Sequence, residues 1–400
     1  MKRTMCRHQG FVRRFRALGM ASLAVTASYC WIGVTPAKAI TVDSGVLKSP
    51  ASLPTTVATM PQLGSGSNIT WGGISQNNIG TFDIVIVPSP ALSANPGALA
   101  AFNRAALLWE SVIADPITVT INADFSPLGA GILGSTGSTY LQASYNTIRN
   151  AMVTDAANET DDGIVASLPT AAQYTVTVPS GFGLDGNIVA TKANLKALGF
   201  AGLDAMFGVP DADIAFSTLF GFDTDNSNGI TAGQFDFEGV AAHEIGHALG
   251  FVSAVDDFDF VLPGTATDMA PYPLDLFRFR DGSVNDPTTP AQFTTFARDM
   301  VPGSVDIFDQ INAGFGGSVE VLMSTGVDFG DGNQASHWKD NSTLGIMDPT
   351  ASPGELLVLR PNDIRAMDLI GYEIQVVPEA STFSLLVMGG VMTFVGCRRW

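Results

Sequence analysis

The stretch VAAHEIGHALGF, Val240 to Phe251, constrains this chain more than any other. Histidines four residues apart lie on one side of the backbone only if that backbone is helical, since 3.6 residues complete a turn. Two imidazoles so placed, His243 and His247, can reach one ion at the roughly 2.0–2.1 Å of a zinc–nitrogen bond. Glu244 is one residue round and falls off their shared axis, so it is badly placed to ligate. It can instead reach a water beside the ion, the position of a general base. The apolar neighbours Val240, Ala241, Ala242 and Ile245 favour this reading over coincidence, and the spacing predicts a helix over 235–251. Gly250 lets the chain leave that helix sharply through a left-handed turn.

Both ends of the chain read as addressing. Lys2, Arg3, Arg7, Arg13, Arg14 and Arg16 precede an apolar run from Ala17 to Val34, and Ala37-Lys38-Ala39 forms a small-x-small site. This is the pattern of a secretory signal peptide over 1–39, cleaved before Ile40, with an uncleaved membrane anchor as the alternative. Residues 40–80 are rich in Ser, Thr, Pro and Gly and read as a loose leader or pro-segment. At the other end, Ser381 to Gly396 is apolar, short for a membrane span, and followed by Arg398-Arg399. With Val377-Pro378-Glu379 before it, the segment 376–400 resembles a PEP-CTERM sorting tail, although Ala380 stands where that motif has proline. The resemblance implies an exosortase-like sorting enzyme as a partner, transient anchoring in the inner membrane and an extracellular or cell-surface destination. A plain tail anchor is the alternative. Either way the body of the protein is expected outside the cytoplasm.

Seven of the 20 Lys and Arg lie in the first 39 residues and two in the tail, leaving 11 against 37 acids, a formal charge of −26 over 40–377. So acidic a surface repels nucleic acid and anionic lipid, and neither is expected as a partner. All three cysteines, Cys6, Cys30 and Cys397, fall in the segments expected to be removed. The remainder has no disulfide and no thiol nucleophile.

Organisation within the body is mixed. Phe82–Val87 reads as a strand, 96–113 as a helix with Ala98, Ala101, Phe102, Ala105, Leu108 and Trp109 at helical spacing, and Ile117–Asn122 as a half-buried strand. Residues 139–156 read as a second helix, and Tyr174–Val178 and Ile214–Ser217 as short strands. From Pro271 onward Gly, Pro, Asp and Asn are frequent and regular structure is hard to assign. Arg360–Ile370 reads as a closing helix, with Pro361 in its first turn and Gly371 past its end. These elements give an α+β chain.

A catalytic zinc normally takes three protein ligands. The chain has four histidines, and with His8 in the signal segment only His337 remains beside His243 and His247. The sequence H-E-x-x-H-x-x-G resembles the metzincin clan of zinc proteases, but position 253, where most members carry the third ligand, is Ser. Ser336-His337-Trp338, with Met347 ten residues later in Gly345-Ile-Met-Asp-Pro-Thr350, resembles the leishmanolysin branch, in which a long insertion separates the helix from a Ser-His-Trp segment. The resemblance runs from Phe235 to Tyr372 and is specific at its two ends. It implies His243, His247 and His337 as Zn2+ ligands, Glu244 as catalytic base acting on a metal-held water, Met347 as a structural turn beneath the metal, and a polypeptide substrate. The implied fold is a two-lobed α+β zinc protease domain over 81–375, with an N-terminal mixed sheet, an active-site helix, and an irregular C-terminal lobe ending in a helix. Leishmanolysins are rich in disulfides and use a pro-segment cysteine to block the zinc, and the mature chain expected here has neither.

Four alternatives stand beside these expectations. If His337 is an ordinary loop histidine, Asp256 or Asp257 is the fallback ligand. Asp223-Thr-Asp-Asn-Ser-Asn-Gly229 resembles a Ca2+ loop, but its Gly falls one place late and Gln234 stands where Glu belongs, so a polar turn is the other reading. For the whole chain, a surface or matrix protein with a structural metal and no peptidase activity is the alternative to a secreted zinc endopeptidase. A metal-dependent hydrolase of non-peptide substrates would use the same residues.

Overall fold

The structure, a computed structural model, describes residues 29–34, 55–60, 81–158, 162–262, 268–308, 321–340 and 344–375. Most of the expected signal peptide and the whole sorting tail lie outside the described residues. No helix among those described is long and apolar enough to cross a membrane.

The chain is of the α+β class, and its largest sheet has six strands. They are β1 (Tyr29–Val34), β2 (Asp83–Pro88), β3 (Thr118–Ser126), β4 (Ile132–Ser138), β5 (Ala212–Ser217) and β6 (Thr350–Ala351), in the order β6-β1-β4-β5-β3-β2. The strands β2, β3 and β5 are parallel to one another, while β4 runs antiparallel to both β5 and β1. The strand β1 lies within the expected signal segment and bridges β4 to β6, to which it is parallel. Cleavage before Ile40 would therefore leave β4 with one unpaired edge. In the expected leader, Thr55–Thr59 is not loose: it forms a strand paired antiparallel with Thr175–Pro179.

Two helices cover one face of this sheet. Helix α1 (Pro96–Glu110) turns Ala98, Ala101, Phe102, Ala105 and Trp109 inward, as its spacing predicts. The central helix, here α4 (Phe237–Leu249), follows two shorter ones, α2 (Tyr145–Asp155) and α3 (Lys192–Ala197). Every residue of α4 is buried, because it lies between α1 and β4. A helix that is apolar on nearly all sides has no solvent face to offer. Asp236 caps its start by accepting from Gly239 N, and Trp109 Nε1 donates to Ala242 O at 2.8 Å. At its end Gly250 has φ of +129°, a conformation glycine enters without the Cβ clash other residues meet. Tyr372 Oη then donates to Leu249 O at 2.7 Å.

The expectation of one helix over 139–156 is corrected. Tyr140–Ser144 is a strand paired with Asn187–Thr191, and only then does α2 begin, capped by Ser144. An aromatic and apolar segment with an antiparallel partner available goes into the sheet, and the serine that ends the strand starts the helix. Beyond α4 come α5 (Ala254–Val261), a small antiparallel sheet of three-residue strands (Arg278–Arg280, Asp306–Phe308, Val321–Met323), and the closing helix α6 (Pro361–Leu369). The described strands after Pro271 are no longer than three residues, in line with the sequence there.

Candidate metal centre

Helix α4 carries His243 and His247 one turn apart, and His337 reaches them from the segment between Val321–Met323 and Met347. The three Nε2 atoms lie 3.0, 3.1 and 3.2 Å from one another, and all three rings are fully buried. Among the described residues this is the group of His, Cys, Asp and Glu side chains able to hold a metal ion.

The tautomers follow from what faces the other ring nitrogens. Nδ1 of His243 meets Ile346 O at 2.7 Å, that of His247 meets Phe251 O at 2.7 Å, and that of His337 meets Gln334 O at 3.1 Å. A carbonyl oxygen only accepts, so each Nδ1 carries a hydrogen and donates it. Each Nε2 is then left with a bare lone pair. Burial, with repulsion between neighbouring imidazoles second, holds all three pKa values well below the usual histidine range, so the rings are neutral. Three lone pairs in contact repel one another unless a cation sits between them. Nitrogens at about 2.0–2.1 Å from a tetrahedral ion stand about 3.3 Å apart, so the trio fits a small first-row ion. The carbonyl bonds to Nδ1 are the usual outer support of ligating histidines.

His337 is held by its surroundings. Ser324 N donates to His337 O, Ser324 Oγ donates to Trp338 O, and Trp338 N donates to Met347 O. Buried Arg278 bonds Ala335 O and Ser324 O while pairing with Asp306. Asp256 accepts from Ala335 N at 2.6 Å and Ser336 N at 3.0 Å. That bond answers the fallback for the third ligand. Asp256 supports the loop bearing His337, and Asp257 accepts from Tyr272 Oη instead of joining the trio. Met347 is fully buried with its sulfur against Gly246, where a Cβ would lie 2.4 Å from it, so it packs under the helix between the two histidines.

Glu244 is fully buried beside the trio. Thr136 Oγ1 donates to its Oε2 at 2.5 Å, while its Oε1 has no hydrogen-bond partner among the described residues. Burial pushes its pKa up to about 8, against the opposing effect of the Thr136 hydrogen bond. A pocket of about 350 Å³ borders the loop bearing His337 at Gln334 and is lined by Ile132 of β4, Asp256, Asp259 and Phe260 of α5, Val327 and Pro349; like two larger cavities of about 590 and 770 Å³, it involves none of the three histidines or Glu244.

The Asp223 loop is a polar turn. Asp223 accepts from Asp225 N, Thr231 N and Thr231 Oγ1, and Asp225 accepts from Ser227 N and Oγ, so these carboxylates serve their own loop. These bonds hold both pKa values below the usual range and leave the Ca2+ reading without support. Sequence reasoning missed Thr136, Gly134 and Asp363. The first two stand in Ile132-Leu-Gly-Ser-Thr-Gly-Ser138, a glycine-rich segment without strand-like alternation, and their pairing with Glu244 is a long-range fact. No protein family matches the chain, and no curated protein or solved structure matches it either.

Proposed function

We propose that the chain is a zinc-dependent endopeptidase of leishmanolysin-like metzincin type, exported and carrying its active site on α4. The observation that carries the reading is Glu244. A buried carboxylate oxygen without a partner, set beside three converging histidine lone pairs, is a liability in a structural site and the needed group in a hydrolytic one. Zinc, when bound by His243, His247 and His337, would supply polarisation of the scissile carbonyl and acidification of a water. Glu244 Oε1 takes the proton of the attacking water and returns it to the leaving amine.

The strand β4 supports a peptide substrate. Once β1 leaves, β4 presents free N–H and C=O groups next to Glu244, and an extended polypeptide can pair with such an edge. The 350 Å³ pocket then offers room for a substrate side chain. The resemblance implies a two-lobed arrangement in which His337-Trp338, Met347 and the closing helix belong to the C-terminal lobe and substrate lies between the lobes.

The test is hydrolysis of a labelled unstructured protein by the purified, zinc-loaded chain beside Glu244→Ala. Cleavage lost both in the variant and on zinc chelation supports the reading. One zinc bound per chain with no cleavage of any polypeptide, after removal of residues 1–39, would move the assignment to a surface protein with a structural metal.

A further inference from the structure

The two oxygens of Glu244 are not equivalent, and the strand β4 makes them so. Gly134, Thr136 and Ser138 alternate along β4 and therefore face the same side of the sheet. That side lies on α4: Ser138 Oγ reaches toward His247 O at 3.5 Å, and Thr136 Oγ1 lies 3.0 Å from Glu244 O as well as 2.5 Å from its Oε2. The hydroxyl has one proton, and the shorter contact with the carboxylate takes it. Gly134 closes the other side. A Cβ there would stand 2.5 Å from Oε1 and 2.8 Å from Cγ of Glu244, so the side chain lies directly on the glycine backbone.

We propose that Thr136 is a positioning residue for Glu244. Its hydroxyl tethers Oε2, Gly134 leaves the room, and together they fix the rotamer that keeps Oε1 free of a hydrogen-bond partner among the described residues. The assignment rests on reading Glu244 as the catalytic base. Without the tether, a carboxylate in a tight apolar setting turns to share either oxygen. Misplacement of a reacting group by about 1 Å costs roughly a hundredfold in rate.

The experiment is a double-mutant cycle on the zinc-loaded protein, using Thr136→Val, which replaces the hydroxyl by a methyl of the same shape, and Glu244→Ala. The binding probe is acetohydroxamic acid, which chelates zinc and shares a proton with a carboxylate beside the metal, measured by calorimetry. Zinc content is measured in every variant. Thr136→Val should weaken the probe about tenfold in the Glu244 background and not at all in the Glu244→Ala background, with Thr136→Ser within about threefold of the unmodified protein. Against peptide, Thr136→Val should lower kcat ten- to a hundredfold with KM unchanged. Equal weakening in both backgrounds makes Thr136 merely structural and overturns the proposal, as does no weakening in either. Coupled probe binding without peptide cleavage by the unmodified protein would retain Thr136 and discard the peptidase. A protein that takes up no zinc overturns both.

Discussion

Asp363, in the first turn of α6, ties together several segments of the loop behind the histidines. Its Oδ1 accepts from Trp338 Nε1 at 2.8 Å and Met347 N at 3.2 Å, and its Oδ2 accepts from Ile346 N and Arg360 N, both at 2.8 Å. One carboxylate thereby joins the start of α6 to the residue after His337, to Met347, and to Ile346, whose carbonyl orients His243. Asparagine is the same size and offers an oxygen to one pair of donors but an NH2 to the other. Whichever way the amide turns, two N–H groups face a donor, both buried on the Trp338–Met347 side and one part-buried on the Ile346–Arg360 side. Each unsatisfied buried donor costs about 1–3 kcal/mol, so Asp363→Asn should lose about 2–6 kcal/mol, a large share of the roughly 5–15 kcal/mol that holds a domain. Burial pushes this carboxyl up to about 6, with the four donors opposing. The folded chain holds the Asp363 proton up to about 6 against an ordinary 3.8, so the unmodified protein gains stability as pH falls from 8 to 5 while the asparagine variant, which does not titrate, gains none there, and the difference between the two proteins should widen at pH 5. Urea unfolding of the metal-free proteins at both pH values, followed by tryptophan fluorescence, measures this, with the midpoint falling and the slope unchanged. A loss below about 1 kcal/mol at pH 8 would refute the donor count, and a loss smaller at pH 5 than at pH 8 would refute the raised pKa.

Three further outcomes can be checked. Metal-free Glu244→Gln should gain on the unmodified protein as pH rises: the folded chain holds the Glu244 proton up to about 8 against an ordinary 4.5, so the unmodified protein loses stability through that window and the variant does not. The histidines titrate alike in both, and unfolding at pH 5 and 8.5 should show a difference of a few kcal/mol between them. Gly134→Ala, whose methyl would fall 2.5 Å from Glu244 Oε1, should keep zinc uptake while cutting hydrolysis by about a hundredfold, read by turnover beside metal analysis. Asp256→Asn leaves Ala335 N or Ser336 N facing an amide donor, and should weaken zinc binding about tenfold in competition with a chromophoric chelator while the far-ultraviolet spectrum stays unchanged.

What the sequence made legible is what is local in the chain. The strand and helix between Phe82 and Ala114, the closing helix and α4 are written in short-range spacing, and the structure places each within a few residues of expectation. The pair His243 and His247 is likewise a statement about one helical turn. His337 is 90 residues from His247, and chain arithmetic alone could only nominate it. What brings it in is a set of contacts with no local signature, namely Arg278 on Ala335 O, Asp256 on the Ser336 amide and Asp363 on the Trp338 indole. The strand β4 was missed for a related reason. Ile-Leu-Gly-Ser-Thr-Gly-Ser has poor strand propensity, because its glycines and small hydroxyls are chosen for the closeness of α4 and not for the sheet. The helix expected over 139–156 failed where a strand partner, Asn187–Thr191, was distant in sequence.

The same small residues bear on whether the metal serves chemistry or only holds the fold. A structural staple needs the three histidines and their carbonyl partners, and gains nothing from an acid next to them. Here a fully buried acid is kept, its charge penalised by burial, with one oxygen left without a partner. Two positions of a neighbouring strand are fitted to it: a glycine, at a loss of strand propensity, where any side chain would collide, and a threonine whose hydroxyl reaches the other oxygen. A fold under selection for stability alone would fill this space with an apolar side chain and a β-branched strand. An unmet buried carboxylate oxygen on the residue next to His243 favours the proposed hydrolytic reading over a structural one.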